Sequence, residues 1–372
     1  MKHGRNRAMF FNKNYQDPKL NAGLLARLRN EMESLGRPVR FMEVCGTHTV
    51  SIFRSGLRSL LPDSMEHLSG PGCPVCVTHN SEVAAFLSLA EKDVIIATFG
   101  DLLRVPAPGG RNLKNAKSEG ADVRIVYSPM DAVNIAADNP GRDVVFLAVG
   151  FETTAPGVAG AIMSAKKRGL SNFTVLSCHK LVPPALETLL SGNNSIDAFL
   201  LPGHVAVITG TAPFEFVPEK WKKPAVIGGF EPAEIVYALI KIVEQIKSGP
   251  GLVVNAYGHV VPADGNPSAR KIMDTVFEPR DAKWRGLGMI PGSGLGIREE
   301  FESADAAKRH GIIFADTKPI PGCRCGDVLS GKMTPAGCPL FGKVCTPRTP
   351  TGPCMVSTEG SCAAWYNYSS GE

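Results

Sequence analysis

Val144-Val145-Phe146-Leu147-Ala148-Val149-Gly150-Phe151-Glu152-Thr153-Thr154-Ala155-Pro156-Gly157 is the stretch whose reading decides the fold. The apolar run Val144 to Val149 has the length of a buried strand and falls far short of the ~20 residues that span a bilayer. Gly150 to Gly157 closes that strand and opens a helix, with proline near the first helical position.

The same texture recurs on both sides. Arg40 to Val44, Asp93 to Thr98 and Val123 to Tyr127 read as strands upstream; Thr174 to Ser177, Ala198 to Leu201, Ala225 to Ile227 and Leu252 to Ala256 read as strands downstream. Helical patterns lie between them, the best being Pro232 to Ile246 with Ile235, Val236, Leu239, Ile242, Val243 and Ile246. At the start, Asp17-Pro18 reads as a helix cap, followed by Leu20, Leu24, Leu25, Leu28 and Met32 on one face before Gly36. Strands separated by helices of this length predict an α/β protein with parallel sheets covered on both faces. The expected division is an N-terminal helical segment over 1–40, α/β domains over 41–135 and 136–260, and a C-terminal region over 261–372. From about Pro319 the chain turns to Gly, Pro, Cys and Thr, and such a segment needs coordination or covalent links to hold it.

With 372 residues, 44% of them hydrophobic and 20% charged, the chain can bury sizeable cores, which excludes a disordered protein. The net charge of +5 is small, and the basic runs Lys166-Lys167-Arg168 and Lys222-Lys223 are short and lack interleaved aromatics, so no nucleic-acid partner is expected. Met1 to Arg7 is basic but is not followed by an apolar run of secretory type. No membrane association and a cytoplasmic setting are expected, in which ten cysteines point to metal or redox chemistry.

Two thiols stand close together in Gly70-Pro71-Gly72-Cys73-Pro74-Val75-Cys76. Such a pair can hold one metal ion, form a redox disulfide or stay reduced and buried. Upstream, Cys45-Gly46-Thr47-His48-Thr49 ends a strand, placing Cys45 and His48 where ligands bind in open α/β sheets. The C-terminus carries Cys323-x-Cys325-x12-Cys338-x6-Cys345-x8-Cys354-x7-Cys362. Spacing alone leaves structural zinc and an iron–sulfur cluster level. The absence of paired C-x-x-C knuckles and the two surplus thiols favour iron, with Cys323, Cys338, Cys345 and Cys362 as ligands and Cys325 and Cys354 as a redox dithiol. Glu152 can serve as a base or hydrogen-bond acceptor near the metal; the other reading of its turn is an ordinary strand-to-helix cap. Leu201-Pro202-Gly203-His204-Val205 and Ser177-Cys178-His179-Lys180 also follow strands, with structural roles the commoner explanation. Gly292-Ser293-Gly294-Leu295-Gly296 lacks full dinucleotide-binding spacing and reads as a loop.

Taken in order, CGTHT at Cys45 to Thr49, GPGCPVC at Gly70 to Cys76, GFETTAPG at Gly150 to Gly157, PGHV at Pro202 to Val205 and the C-terminal cysteines resemble the HypD family of [NiFe]-hydrogenase maturation proteins. The resemblance runs from about residue 40 to the C-terminus. It implies two related α/β domains plus a small irregular domain carrying a [4Fe-4S] cluster. It also implies a scaffold on which the Fe(CN)2CO unit is assembled, with HypC as iron-binding chaperone and HypE as cyanide donor. Cys45, Cys73 and Cys76 then match the positions associated with that iron, and His48 lies beside them. The expected activity is that of a redox-active scaffold rather than a turnover enzyme. The alternatives are an iron–sulfur thiol/disulfide oxidoreductase acting on a protein, and a zinc-stabilised binding scaffold.

Overall fold

The computed structural model describes residues 17–192 and 195–369, so the basic stretch Met1 to Arg7 lies outside the described residues. Its strands are β1 (Val39–Glu43), β2 (Met65–Ser69), β3 (Val94–Thr98), β4 (Val123–Ile125), β5 (Asp143–Ala148), β6 (Phe173–Ser177), β7 (Ala198–Pro202), β8 (Ala225–Gly228), β9 (Val254–Asn255), β10 (Phe277–Trp284) and β11 (Gly288–Ile297). They form two parallel sheets, ordered β2-β1-β7-β8-β9 and β4-β3-β5-β6, and one antiparallel hairpin, β10-β11. Strands β3, β6, β7 and β8 are buried along their whole length. That is why they read as continuous apolar runs: helices cover both faces of a parallel sheet.

Sheet membership does not follow the expected boundary near residue 135. β5 pairs with β3, from the other side of that boundary, while β1 and β2 share a sheet with β7, β8 and β9. The chain starts the five-stranded sheet, leaves it to build the four-stranded one, and returns. Hydrogen bonding between β1 and β7 sets this arrangement, and local periodicity cannot reveal such a distant pairing.

The first helix, Pro18–Leu35, is capped as its sequence predicts: Asp17 accepts from the Lys19 amide at 2.8 Å, and Gly36 ends the helix at φ 68°. It buries Leu25, Leu28 and Met32 in one apolar cluster with helix Pro232–Ser248. Full burial of Leu28 is worth about 2 kcal/mol, and Leu28→Ala would cost more because a cavity remains. Gly292 to Gly296, expected to be a loop, belongs to β11, where Gly294 permits the hairpin to close: a Cβ there would lie 2.8 Å from the Ala282 Cβ. β2 is a strand with no counterpart among the sequence-based expectations.

Each parallel sheet has one place where strand order reverses, β1 beside β7 and β3 beside β5. Ligand crevices form beyond the carboxyl ends of strands at such points. Cys45 follows β1 and His204 follows β7, while Gly150 to Thr154 follows β5.

Candidate functional site

Parallel pairing of β1 with β2, Glu43 opposite Ser69, delivers two loops to one place. The Gly70 amide donates to the Glu43 carbonyl at 2.7 Å and the Gly46 amide to the Gly72 carbonyl at 2.9 Å. Cys45 and the Cys73–Cys76 turn thus leave the sheet side by side. Cys73 and Cys76 form a disulfide, with Cα atoms 5.2 Å apart, at the head of the one-turn helix Pro74–Val77.

Cys45 stands at the N-cap of helix Gly46–Arg54 and is nearly buried. Burial, with the nearby charge of Glu359, pushes its thiol up to about 12, while the His48 and Thr47 amides favour the thiolate. Until a cation arrives, Cys45 is a neutral thiol; metal binding would displace its proton. Fully buried Glu43 accepts from the Cys45 amide at 2.9 Å and from the Thr49 hydroxyl, fixing the start of that helix.

His48 follows Cys45 in the chain, but its ring turns toward β8. Nε2 lies 2.9 Å from the Gly229 carbonyl, which requires a proton on Nε2, and the ring packs on Phe230 at 4.6 Å. Burial lowers its pKa to about 4, so the ring is neutral, and Nδ1 makes no hydrogen bond to the protein. His204 stacks on the same aromatic ring, 3.9 Å from Phe230.

Glu152 is buried, and burial raises its pKa to about 7. One carboxylate oxygen accepts from the Val182 amide at 2.9 Å, at the start of helix Val182–Ser191, and the other makes no hydrogen bond to the protein. Glu152 therefore engages a helix terminus rather than a thiol.

All six C-terminal cysteines, Cys323, Cys325, Cys338, Cys345, Cys354 and Cys362, line one small apolar cavity with Val328, Leu340 and Phe341. Gly352 leaves room for Cys323, whose Sγ would lie 2.6 Å from a Cβ at that position. Hydrogen bonds to Cys325 and Cys362, together with burial, hold the Cys354 thiol well above the usual range. The bond from Cys354, and then the Arg285 charge, favour the Cys325 thiolate against burial. Cys325 and Cys354, expected as a pair, are in contact, and Cys362 touches the same thiol. Among the described residues, no group of three or more His, Cys, Asp or Glu side chains gathers around one metal-sized point.

The turn Pro353–Met355 packs against helix Pro74–Val77, and Cys73, Cys76, Cys325, Cys345, Cys354 and Cys362 share one apolar core. The two thiol groups are therefore neighbours. Glu359 completes the join: its carboxylate accepts from the Thr47 hydroxyl at 2.9 Å, and Trp365 packs 5.5 Å from Phe53. Sequence reasoning missed Glu43, Glu359 and Arg285. An acidic residue inside the run Arg40 to Val44 was a usable signal for Glu43; Glu359 and Arg285 carried none.

A family profile described as "HypD: Hydrogenase formation hypA family" matches residues 19–369. The hydrogenase maturation factor HypD2 of Bradyrhizobium diazoefficiens is 44% identical over 363 residues, covering 95% of each chain. The hydrogenase maturation factor HypD of Escherichia coli is 43% identical over 367 residues, covering 97% of this chain and 98% of that one. A putative hydrogenase expression/formation protein of Methanocaldococcus jannaschii is 42% identical over 330 residues, or 89% of this chain and 92% of that one. Matches of this length and identity establish that the protein belongs to the HypD family of hydrogenase maturation factors.

Proposed function

We propose that this protein is the cytoplasmic scaffold on which the Fe(CN)2CO unit of a [NiFe] hydrogenase is assembled, with Cys45 as the anchoring ligand of that iron. The observation that carries the reading is the junction of β1 and β2, where Cys45 and the Cys73–Cys76 turn emerge side by side. Thiolates are soft donors suited to an iron that back-donates into cyanide and carbon monoxide. A site with few protein ligands, completed by a thiolate from HypC and supplied with cyanide through HypE, also releases its cargo more readily than a closed cage.

Cys73 and Cys76 can share the iron only as a dithiol, which requires two electrons and two protons to open their disulfide. A [4Fe-4S] cluster suits the C-terminal cavity: such a cluster takes four thiolates, and the apolar walls carry six thiols, two more than it needs. Thiolates holding a cluster would be spread over its several irons, a looser demand than convergence on one ion. Cys323, Cys338, Cys345 and Cys362 would hold it, and bound there it would supply electrons. Cys325 and Cys354 would then serve as the redox dithiol, with the Cys354 turn packed against helix Pro74–Val77. Neutral His48 supports the helix that carries Cys45, and Glu152 caps a neighbouring helix while keeping one oxygen for a proton.

The reading is tested by infrared spectroscopy of protein purified without oxygen together with HypC, with iron and acid-labile sulfide assayed on the same sample. Cyanide and carbonyl stretches with iron in excess of the cluster are the expected result. Sulfide without such bands would instead favour an iron–sulfur thiol/disulfide oxidoreductase, a reading to which the Cys73–Cys76 disulfide lends support. Zinc without sulfide would leave only a binding scaffold.

A further inference from the structure

Arg285 lies at the end of hairpin strand β10, and its position is fixed by the segment just after Cys76. Its amide donates to the Val77 carbonyl at 2.9 Å, its Nε to the Thr78 carbonyl at 3.0 Å, and its Nη1 to the Asn80 side-chain oxygen. The residue is only 9% exposed, and Nη2 makes no hydrogen bond to the protein. Among the described residues no carboxylate forms an ion pair with it. A buried guanidinium in that state is unfavourable unless a counter-charge reaches it.

Arg285 lines a cavity of about 240 Å³, shared with His79, Thr317, Cys323 and Cys325. The Thr317 hydroxyl is a second buried group on this wall without a hydrogen bond to the protein. Burial holds His79 in its neutral form, so it adds no charge. Asp327 also lines the cavity, but its carboxylate is engaged by Arg324. Two buried donors without a protein partner, the Arg285 Nη2 and the Thr317 hydroxyl, thus belong to residues that line this one cavity.

We infer that this cavity is a binding site for a small oxyanion, a carboxylate or a phosphate, held by Arg285 Nη2 and Thr317 Oγ1 beside the C-terminal cysteines. Guanidinium and hydroxyl donors are the groups that recognise such anions, and the planar fork of Arg285 is already oriented by its three other bonds. The occupant would lie against Cys323 and Cys325, so the site places a soluble anion at the wall of the C-terminal thiol cavity. The inference goes beyond the scaffold reading and requires neither cluster nor iron cargo to be true.

The test is thermal unfolding of the full chain, purified without oxygen, titrated with inorganic phosphate alone and with acetate alone against chloride at matched ionic strength. A saturable rise of roughly 2 °C at tenfold excess over the dissociation constant is expected for at least one anion. Acetate alone would indicate a carboxylate ligand, phosphate alone a phosphoryl ligand. Arg285→Met should abolish the saturable part, and Arg285→Lys should weaken it at least tenfold. If Arg285→Met does not fold, Thr317→Val decides: a weaker titration supports the site, an unchanged one overturns it. No saturable rise with either anion, or an equal rise in Arg285→Met, would also overturn it, leaving solvent or the C-terminal thiolates as the counterpart of Arg285.

Discussion

Gly72 and Cys45 are in backbone contact: a Cβ built on Gly72 would lie 2.1 Å from the Cys45 nitrogen and 2.4 Å from its Cα. No side chain fits between them, so the distance between the Cys45 loop and the Cys73–Cys76 turn is set by the absence of one. Gly72→Ala should push the loops apart and cost on the order of 3 kcal/mol as overpacking. A thermal unfolding midpoint and iron content equal to those of the unmodified protein would show that the contact is not what sets the site.

Glu359 is the second largest cause of the raised Cys45 pKa, after burial. Glu359→Gln keeps an oxygen for the Thr47 hydroxyl and removes the charge. The Cys45 thiol should then titrate lower and react with a small alkylating reagent roughly 3- to 10-fold faster at a fixed pH near 9. Mass-spectrometric alkylation rates for Cys45 check this; equal rates in both proteins would contradict it.

Lys180 and Glu82 form a buried ion pair at 2.7 Å. Lys180→Met should destabilise the protein by about 3–5 kcal/mol, because it strands a buried carboxylate. Adding Glu82→Gln should recover much of the loss. Denaturant unfolding of the three variants measures the coupling, and additive losses would rule out the pair as a unit.

His48 and His179 are buried with pKa values lowered to about 4 and about 3. Between those values and the ordinary 6.5 the unfolded chain binds more protons than the folded one, so stability falls as pH falls from about 6.5, by on the order of 3 kcal/mol per histidine. Glu152, raised to about 7, works in the opposite direction: its contribution is present at low pH and is lost as pH rises from 4.5 to 7. Each histidine moves at least as far as Glu152, so the pair prevails. The unfolding midpoint should drop between pH 6.5 and 5, less steeply in His179→Phe; a flat profile would contradict this.

The strands and helices that were legible owe it to one-dimensional signals. Helix Pro18–Leu35 shows its caps and its buried Leu25, Leu28 and Met32, and β5 shows a continuous apolar run. β2 was hidden because Glu66, His67 and Ser69 are polar; His67 and Ser69 are buried nonetheless, and the His67 ring approaches Glu43 at 3.8 Å. Sheet membership was illegible because the β1–β7 pairing leaves no local trace. At the candidate site, Cys73 and Cys76 announced themselves by their spacing, and Cys45 by its place after a strand. Glu359 sits in a Gly- and Thr-rich segment without periodicity, and only the packing of the C-terminal helix Ser361–Tyr368 onto Gly46–Arg54 brings it to Thr47.

Whether Cys45 holds the iron is tested most directly by infrared spectroscopy of Cys45→Ala beside the unmodified protein, both purified without oxygen with HypC. Cyanide and carbonyl bands are expected in the unmodified protein, and their loss is expected in Cys45→Ala with acid-labile sulfide unchanged. Bands of equal intensity in Cys45→Ala would contradict the assignment and place the iron elsewhere.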